Sequence, residues 1–252
     1  MSIQGKIFKQ NLVQFMIHLN KVTKSFGNKI ALDNLTLNLE KGEIYCLLGS
    51  NGAGKSTTLS LLLGFIKPDQ GEVKLSGASP FDQPSKARKS IGYIAENVSL
   101  YPYLSGVENL DYFCRIAGLK YPKETLKETL LECGLPSHSH DLPLCSYSKG
   151  MRQKVGIAIA YAKKATVYLL DEPASGLDPA ANKELSLLLR KLAKQGATVL
   201  IASHDILWAK ETCHHIGILK DGQLKGEYKA SEISIQELEK TYLDFMQQPL
   251  VS

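Results

Sequence analysis

The sequence predicts an α/β domain with strands buried on both faces and a helical insertion. Three observations point there. Short apolar runs bounded by turn residues alternate with longer helical stretches. One of those runs, Ile44–Leu48, feeds a glycine-rich loop that is followed by a helical segment. Between about residues 98 and 146 the texture changes from strands to helices.

In chain order, a strand-like pattern starts at Met16, which leaves residues 1–15 as an N-terminal extension of unassigned role. Ile44–Leu48 is a buried strand and 56–65 a helix. Within the insertion, Ser105-Gly106-Val107-Glu108 has the spacing of a capping box, opening a helix toward Gly118, and a second helix is expected over Lys123–Glu132. A helical run at 151–162 precedes buried strands at 167–170 and 198–202. His214 and His215 are expected on a helix surface. Asp221-Gly222 between apolar runs predicts a hairpin turn after 216–219. Ser234 and Glu237 form a second capping box, with Ile233 and Leu238 as a hydrophobic staple. Ile235, Leu238, Tyr242 and Phe245 then share one face, so the chain should end in a docked helix rather than a tail.

Composition narrows the class. The 252 residues are 44% hydrophobic and 22% charged, ordinary for a globular chain and unlike a disordered, collagenous or disulfide-rich one. The longest apolar stretch, 59–66, is broken by Ser60 and Gly64 and falls far short of the roughly 18 residues that span a bilayer. No signal peptide is read at the N-terminus. Thirty Lys and Arg against 25 Asp and Glu give a net charge of +5, scattered rather than gathered into a stripe, so nucleic acid is not an expected partner. Five cysteines without a CxxC pair read as reduced thiols. His138, His140, Asp141 and Cys145 match no standard zinc spacing and read as a polar loop. Tyr101 and Tyr103 fit either an exposed coupling surface or a packed turn.

The chemistry begins at Gly49-Ser50-Asn51-Gly52-Ala53-Gly54-Lys55-Ser56, which matches GxxxxGK[ST]. Glycines let successive backbone amides turn inward on phosphate oxygens, and the following helix presents its N-terminus to the same anion. Lys55 can reach the β- and γ-phosphates and the Ser56 hydroxyl can ligate Mg²⁺. Asp171 ends an apolar run and can hold that metal through water, while Glu172 beside it can polarise an attacking water as general base. Nucleoside triphosphate binding with hydrolysis is the chemistry these residues predict.

With these residues in place, the chain resembles an ATP-binding-cassette (ABC) ATPase over residues 16–246. Ser146-Tyr147-Ser148-Lys149-Gly150-Met151-Arg152-Gln153-Lys154 is similar to the family's signature motif, which other phosphate-loop ATPases lack. Ser175-Gly176-Leu177-Asp178 resembles its D-loop, and Ser203-His204-Asp205 its switch histidine. Phe26 sits where the family stacks an aromatic ring on adenine. The resemblance implies a P-loop NTPase fold of the ABC type, with a mostly parallel core sheet, an antiparallel β subdomain and a helical subdomain at about 98–146. It implies ATP and Mg²⁺ as cofactors, nucleotide contacts from residues 49–56, Thr57 and Asp178, and catalytic roles for Lys55, Glu172 and His204. It also implies a head-to-tail dimer, with itself or with a second cassette. Ser148 and Gly150 of one chain would then reach the γ-phosphate held by the other.

Three positions depart from the family pattern. The signature's usual leucine and first glycine are Tyr147 and Lys149. The Q-loop glutamine is Glu96, which can ligate the metal but cannot donate an amide hydrogen bond. Ser50 stands where proline is common. The function implied is an ATPase subunit that powers a membrane transporter, of exporter type. It would dock on integral membrane subunits at the cytoplasmic face of the cell membrane. The competing reading is a soluble ABC-type ATPase acting on ribosomes or nucleic acid. Such relatives usually carry two cassettes or a long coiled coil, and neither is visible here.

Overall fold

The computed structural model describes residues 15–247. In order, the elements are β1 (Ile17–Phe26), β2 (Lys29–Leu39), β3 (Ile44–Leu48), α1 (Lys55–Leu62), β4 (Gln70–Leu75), α2 (Pro84–Ser90) and β5 (Ile91–Ile94). Next come α3 (Gly106–Ile116), α4 (Lys123–Glu132), α5 (Lys149–Ala162), β6 (Val167–Asp171), α6 (Pro179–Lys194) and β7 (Thr198–Ser203). The chain closes with α7 (Ile206–Thr212), β8 (His215–Lys220), β9 (Gln223–Lys229) and α8 (Ile235–Gln247). Residues 1–14 of the expected N-terminal extension lie outside the described residues.

Two sheets result. A small antiparallel sheet has the order β2-β1-β4. The larger has the order β5-β6-β7-β3-β8-β9, parallel from β5 to β8, with β9 returning antiparallel through the hairpin. Its central strands are apolar over most of their length, with Asp171, Thr198 and Ser203 at strand ends, because each is covered on both faces. Side-chain alternation sends Ile44, Cys46 and Leu48 of β3 into one core and Tyr45 and Leu47 into the other. β6 divides the same way, Tyr168 and Leu170 against Val167 and Leu169. The first core lies under the long helices and the second under α1 and the antiparallel sheet. Each fully buried aliphatic side chain stabilises this sandwich by about 1.5–3 kcal/mol.

Local signals set the helix ends. Ser105 and Glu108 make the expected capping box, the Glu108 carboxylate accepting from the Ser105 N–H at 2.8 Å. The Ser234–Glu237 box is made likewise. α1 stops at Leu62, three residues earlier than the sequence suggests, since Gly64 takes φ +74° and turns the chain away. In α8, Leu238, Tyr242, Phe245 and Met246 pack on the core while Ile235 does not, so Met246 replaces Ile235 on the buried stripe. Asp221 and Gly222 adopt φ +50° and +77° in the β8–β9 turn, as a two-residue hairpin requires.

The two histidines expected on a helix surface are not helical. His214 precedes β8 and its Nδ1 accepts from the Ile44 N–H at 3.1 Å. His215 opens β8 and its Nδ1 lies 2.6 Å from Glu43. Both serve the start of the β3–β8 pairing, a tertiary role that no local pattern announces. Among the described residues no helix is long and apolar enough to cross a membrane.

Candidate functional site

The phosphate loop connects the tip of β3 to α1 and is held by backbone bonds from two sides. The Gly49 N–H donates to the Ser203 carbonyl at 3.1 Å, and the Gly222 N–H to the Ala53 carbonyl at 2.9 Å. Gly54, at φ +114°, lies so close to β2 that a Cβ there would come within 2.7 Å of the Ala31 carbonyl oxygen. Gly54 caps α1 without any side-chain hydrogen bond and the first turn carries no acid, so the first amides of that helix are left for an anion.

Phe26, Ser50, Asn51, Gly52, Gly54, Lys55, Ser56, Thr57, Glu96, Asp171 and Glu172 line one cavity of about 330 Å³. Gly49 and Ala53 support the loop from behind. Lys55 is 6% exposed, and its ammonium donates to the carbonyls of Gly49 at 2.6 Å and Ser50 at 3.2 Å. It also stands 3.5 Å from Glu172 Oε1. Phe26 is half exposed at the rim, with the Lys24 ammonium over its ring 5.6 Å from the centroid.

The carboxylates owe their places to the β6–β7 ladder. Asp171 is the last residue of β6, paired with Ala202 of β7. Glu172 continues the ladder by one bond, its N–H donating to the Ala202 carbonyl at 2.8 Å, and then turns out of the sheet at φ +44°. Such a conformation in a non-glycine residue stores strain and is typical of functional positions. Its side chain is gripped from both ends. Oε2 lies 2.9 Å from His204 Nδ1 and accepts from the Ser203 hydroxyl at 3.3 Å, while Oε1 faces Lys55.

Burial pushes the Asp171 carboxyl above its ordinary range, and the charges of Glu172 and Glu96 add to that push while Lys55 opposes it. Glu96, just after β5, is exposed and accepts from the Ser175 hydroxyl at 3.4 Å. Three carboxylates and the Ser56 hydroxyl around one cavity form a hard-oxygen donor set with unbalanced negative charge, which suits Mg²⁺. Among the described residues no three His, Cys, Asp or Glu side chains converge as a complete cage.

Other sequence-predicted residues stand apart. Ser148 is exposed and caps α5, accepting from the Met151 N–H at 3.2 Å, with the buried Gly150 two residues further on. Asp178 caps α6 by accepting from the Ala181 N–H at 2.9 Å. None of these three lines the phosphate-loop cavity. Tyr147 is buried, and its hydroxyl donates to the Ser139 carbonyl at 2.5 Å, tying the signature to the insertion. In the polar loop, His140 is buried and donates from Nε2 to the Leu135 carbonyl, while Asp141 pairs with Lys123 and Lys127.

The structure also adds residues that sequence patterns did not single out. Lys29 and Ala31, from the start of β2, complete the cavity wall. Tyr242 of α8 lies near enough to Glu172 for that charge, after burial, to push its phenol up. Only the fold brings a residue seventy positions downstream to this place.

Known proteins carry the same arrangement. The family model described as "ABC transporter" matches residues 32–175. The uncharacterized ABC transporter ATP-binding protein YdbJ of Bacillus subtilis (strain 168) is 36% identical over 227 residues, covering 90% of this chain and 71% of YdbJ. The bacitracin transport ATP-binding protein BcrA of Bacillus licheniformis is 35% identical over 231 residues, 91% of this chain and 74% of BcrA. The post-hydrolysis dimeric structure of the ATP-binding cassette MJ0796 bound to ADP and Pi superposes with a TM-score of 0.73 at 30% identity, over 85% of this chain and 99% of that one. A phosphate loop, a strand-end acidic pair and a histidine gripping the second acid are thus joined to a family match over more than half the sequence, and the chain belongs to the ABC transporter family as its ATP-hydrolysing, nucleotide-binding subunit.

Proposed function

We propose that this ATPase powers an exporter-type transporter through a head-to-tail dimer, each nucleotide sitting between the phosphate loop of one chain and the signature of the other. The observation that carries this reading is the separation of the two motifs. Ser148 opens α5 at an exposed helix N-terminus with Gly150 two residues on, yet neither lines the cavity that Lys55 and Ser56 line. A second chain supplies them, so ATP binding joins the subunits, and the difference between ATP and ADP drives the cycle.

In that site the phosphate-loop amides and Lys55 hold the triphosphate, and Phe26 stacks on the base. Glu172 takes the proton of the attacking water, oriented by His204 and Ser203. Ser56, Asp171 and Glu96 hold Mg²⁺, which would draw charge from the phosphoryl oxygens. Asp178 of the D-loop meets the partner near the signature. The cassette comprises residues 16–246, with residues 98–146 as its helical subdomain. The half-exposed Tyr101 and the 88% exposed Tyr103 lie at the start of that subdomain, beside the Glu96 loop. They suit docking on a separate multi-span subunit at the cytoplasmic face of the membrane. The name of BcrA, a bacitracin transport protein, supports a cargo of the bacitracin type.

Co-purification from detergent-solubilised membranes tests the proposal, with the parental chain and Glu172→Gln compared. A multi-span polypeptide at fixed stoichiometry is the expected result. Recovery with ribosomes or nucleic acid, the membrane fraction being empty, would overturn it.

A further inference from the structure

A second cavity, of about 440 Å³, lies at the opposite end of the core sheet from the nucleotide site. Topology puts it there. β3, β6 and β7 run parallel, so the residues just before them, Lys41, Thr166 and Ala197, gather at one end while the phosphate loop and the acidic pair gather at the other. The walls are Tyr121 before α4, Tyr161 in the last turn of α5, Tyr168 of β6 and Leu192 of α6. Insertion and core therefore meet across it.

Three of the polar tips around these walls are already engaged. The Tyr121 hydroxyl donates to the Ala162 carbonyl at 2.9 Å, the Tyr161 hydroxyl bonds the Glu132 carboxylate, and the Thr129 hydroxyl donates to the Thr125 carbonyl. Ring faces and methyl groups are left to the interior. The mouth differs, because Lys41 and Lys164 line it, and neither ammonium has an acidic or hydrogen-bonding partner among the described residues. Lys41 is held there by packing across Gly196. A Cβ on Gly196, which also has φ +95°, would come within 2.7 Å of the lysine Cε.

We propose that this cavity binds a small amphipathic carboxylate, its aromatic or short aliphatic body between the tyrosine rings and its carboxylate between Lys41 and Lys164. The volume suits a small organic ligand, the apolar lining rewards burial of the body, and the two unpaired cations select an anionic head over a neutral or cationic one. A molecule so placed ties the α4 side of the insertion to β6 and α6, and favours the relative placement of these elements that closes the cavity. The site is separate from the nucleotide chemistry and does not depend on the export reading.

Titration calorimetry with phenylbutyrate, the matching phenylbutyl alcohol and the matching phenylbutylamine tests the proposal on the intact chain. Saturable one-to-one binding of the carboxylate is expected, with the alcohol and the amine weaker by about tenfold or more. Lys41→Gln combined with Lys164→Asn should lose about tenfold in carboxylate affinity while ATP binding stays unchanged. Asparagine is chosen at position 164 because the backbone there has φ +56°. No saturable binding, equal binding of the three heads, or a double variant that binds phenylbutyrate as the parent does would each overturn it. Should the double variant fail to fold, the head-group series on the parental chain decides.

Discussion

Glu172 is held by a positive φ, a ladder hydrogen bond, Lys55, Ser203 and His204. A side chain so constrained points one oxygen pair at one place, which is what a general base needs. Glu172→Gln keeps the shape and removes the base. Turnover should fall by roughly 10²–10⁴-fold, with ATP still bound and an ATP-dependent dimer accumulating on size exclusion. Phosphate release at the parental rate would remove Glu172 from that role. Asp171 behaves differently, because its folded-state pKa is raised by burial and by its acidic neighbours. Ionised Asp171 therefore destabilises the fold. The penalty is absent in acid, sets in as pH rises from the ordinary carboxyl pKa through the raised one, and is complete above. Asp171→Asn should melt higher than the parent at pH 7.5, by roughly 2–4 °C, yet bind Mg-ATP more weakly. The difference in melting should close as pH falls toward the unfolded pKa, which calorimetry across a pH series will check.

The start of α3 shows why an unusual residue in one motif needs a particular residue in another element. Gly106 is the first helical residue after the Ser105 cap, and a Cβ there would lie 2.5 Å from the Tyr147 hydroxyl. Where the family has leucine, this chain has a buried tyrosine that reaches the Ser139 carbonyl and takes the space beside Gly106. Helix propensity alone would make Gly106→Ala favourable. The packing predicts the reverse, a loss of about 1–3 kcal/mol, recovered in large part by adding Tyr147→Leu. A double-mutant cycle in urea measures that coupling. Helix starts of this kind were readable from sequence at Ser105, Ser148 and Ser234, but not at Asp178 and Asp205, whose side chains cap α6 and α7. Buried strands were readable from their apolar runs. His214 and His215 were not, since their partners Ile44 and Glu43 lie some 170 residues upstream. The antiparallel sheet came only through the family resemblance: β2 alternates over residues 35–39, but alternation does not say which strand pairs with which, and β1 pairs with both β2 and the distant β4.

For the molecule as a whole, the catalytic half of the site could be foreseen because each part sits at a strand tip or helix start with its own local pattern. Lys29 and Ala31 could not, because only closure of the fold brings them to the cavity, nor could Tyr242, which the same closure sets within reach of the Glu172 charge. The dimer gives the broadest prediction. Ser148→Arg places bulk and charge at the exposed start of α5 while leaving the phosphate-loop cavity intact. ATP should bind to the monomer with parental affinity, whereas the ATP-dependent dimer of the Glu172→Gln background should disappear on light scattering. One detail of the sheet has a bearing on endurance. The bond from the Glu172 N–H to the Ala202 carbonyl adds one rung to the β6–β7 ladder, whose strands are buried on both faces, and so fixes Glu172 to the core of the sheet. Amide exchange there should proceed only through global opening, far slower than in the exposed β2–β1–β4 rim. Warmed toward its melting point, the enzyme should keep its chemical machinery aligned until the whole sheet gives way, and lose its grip on adenine, at Phe26, first.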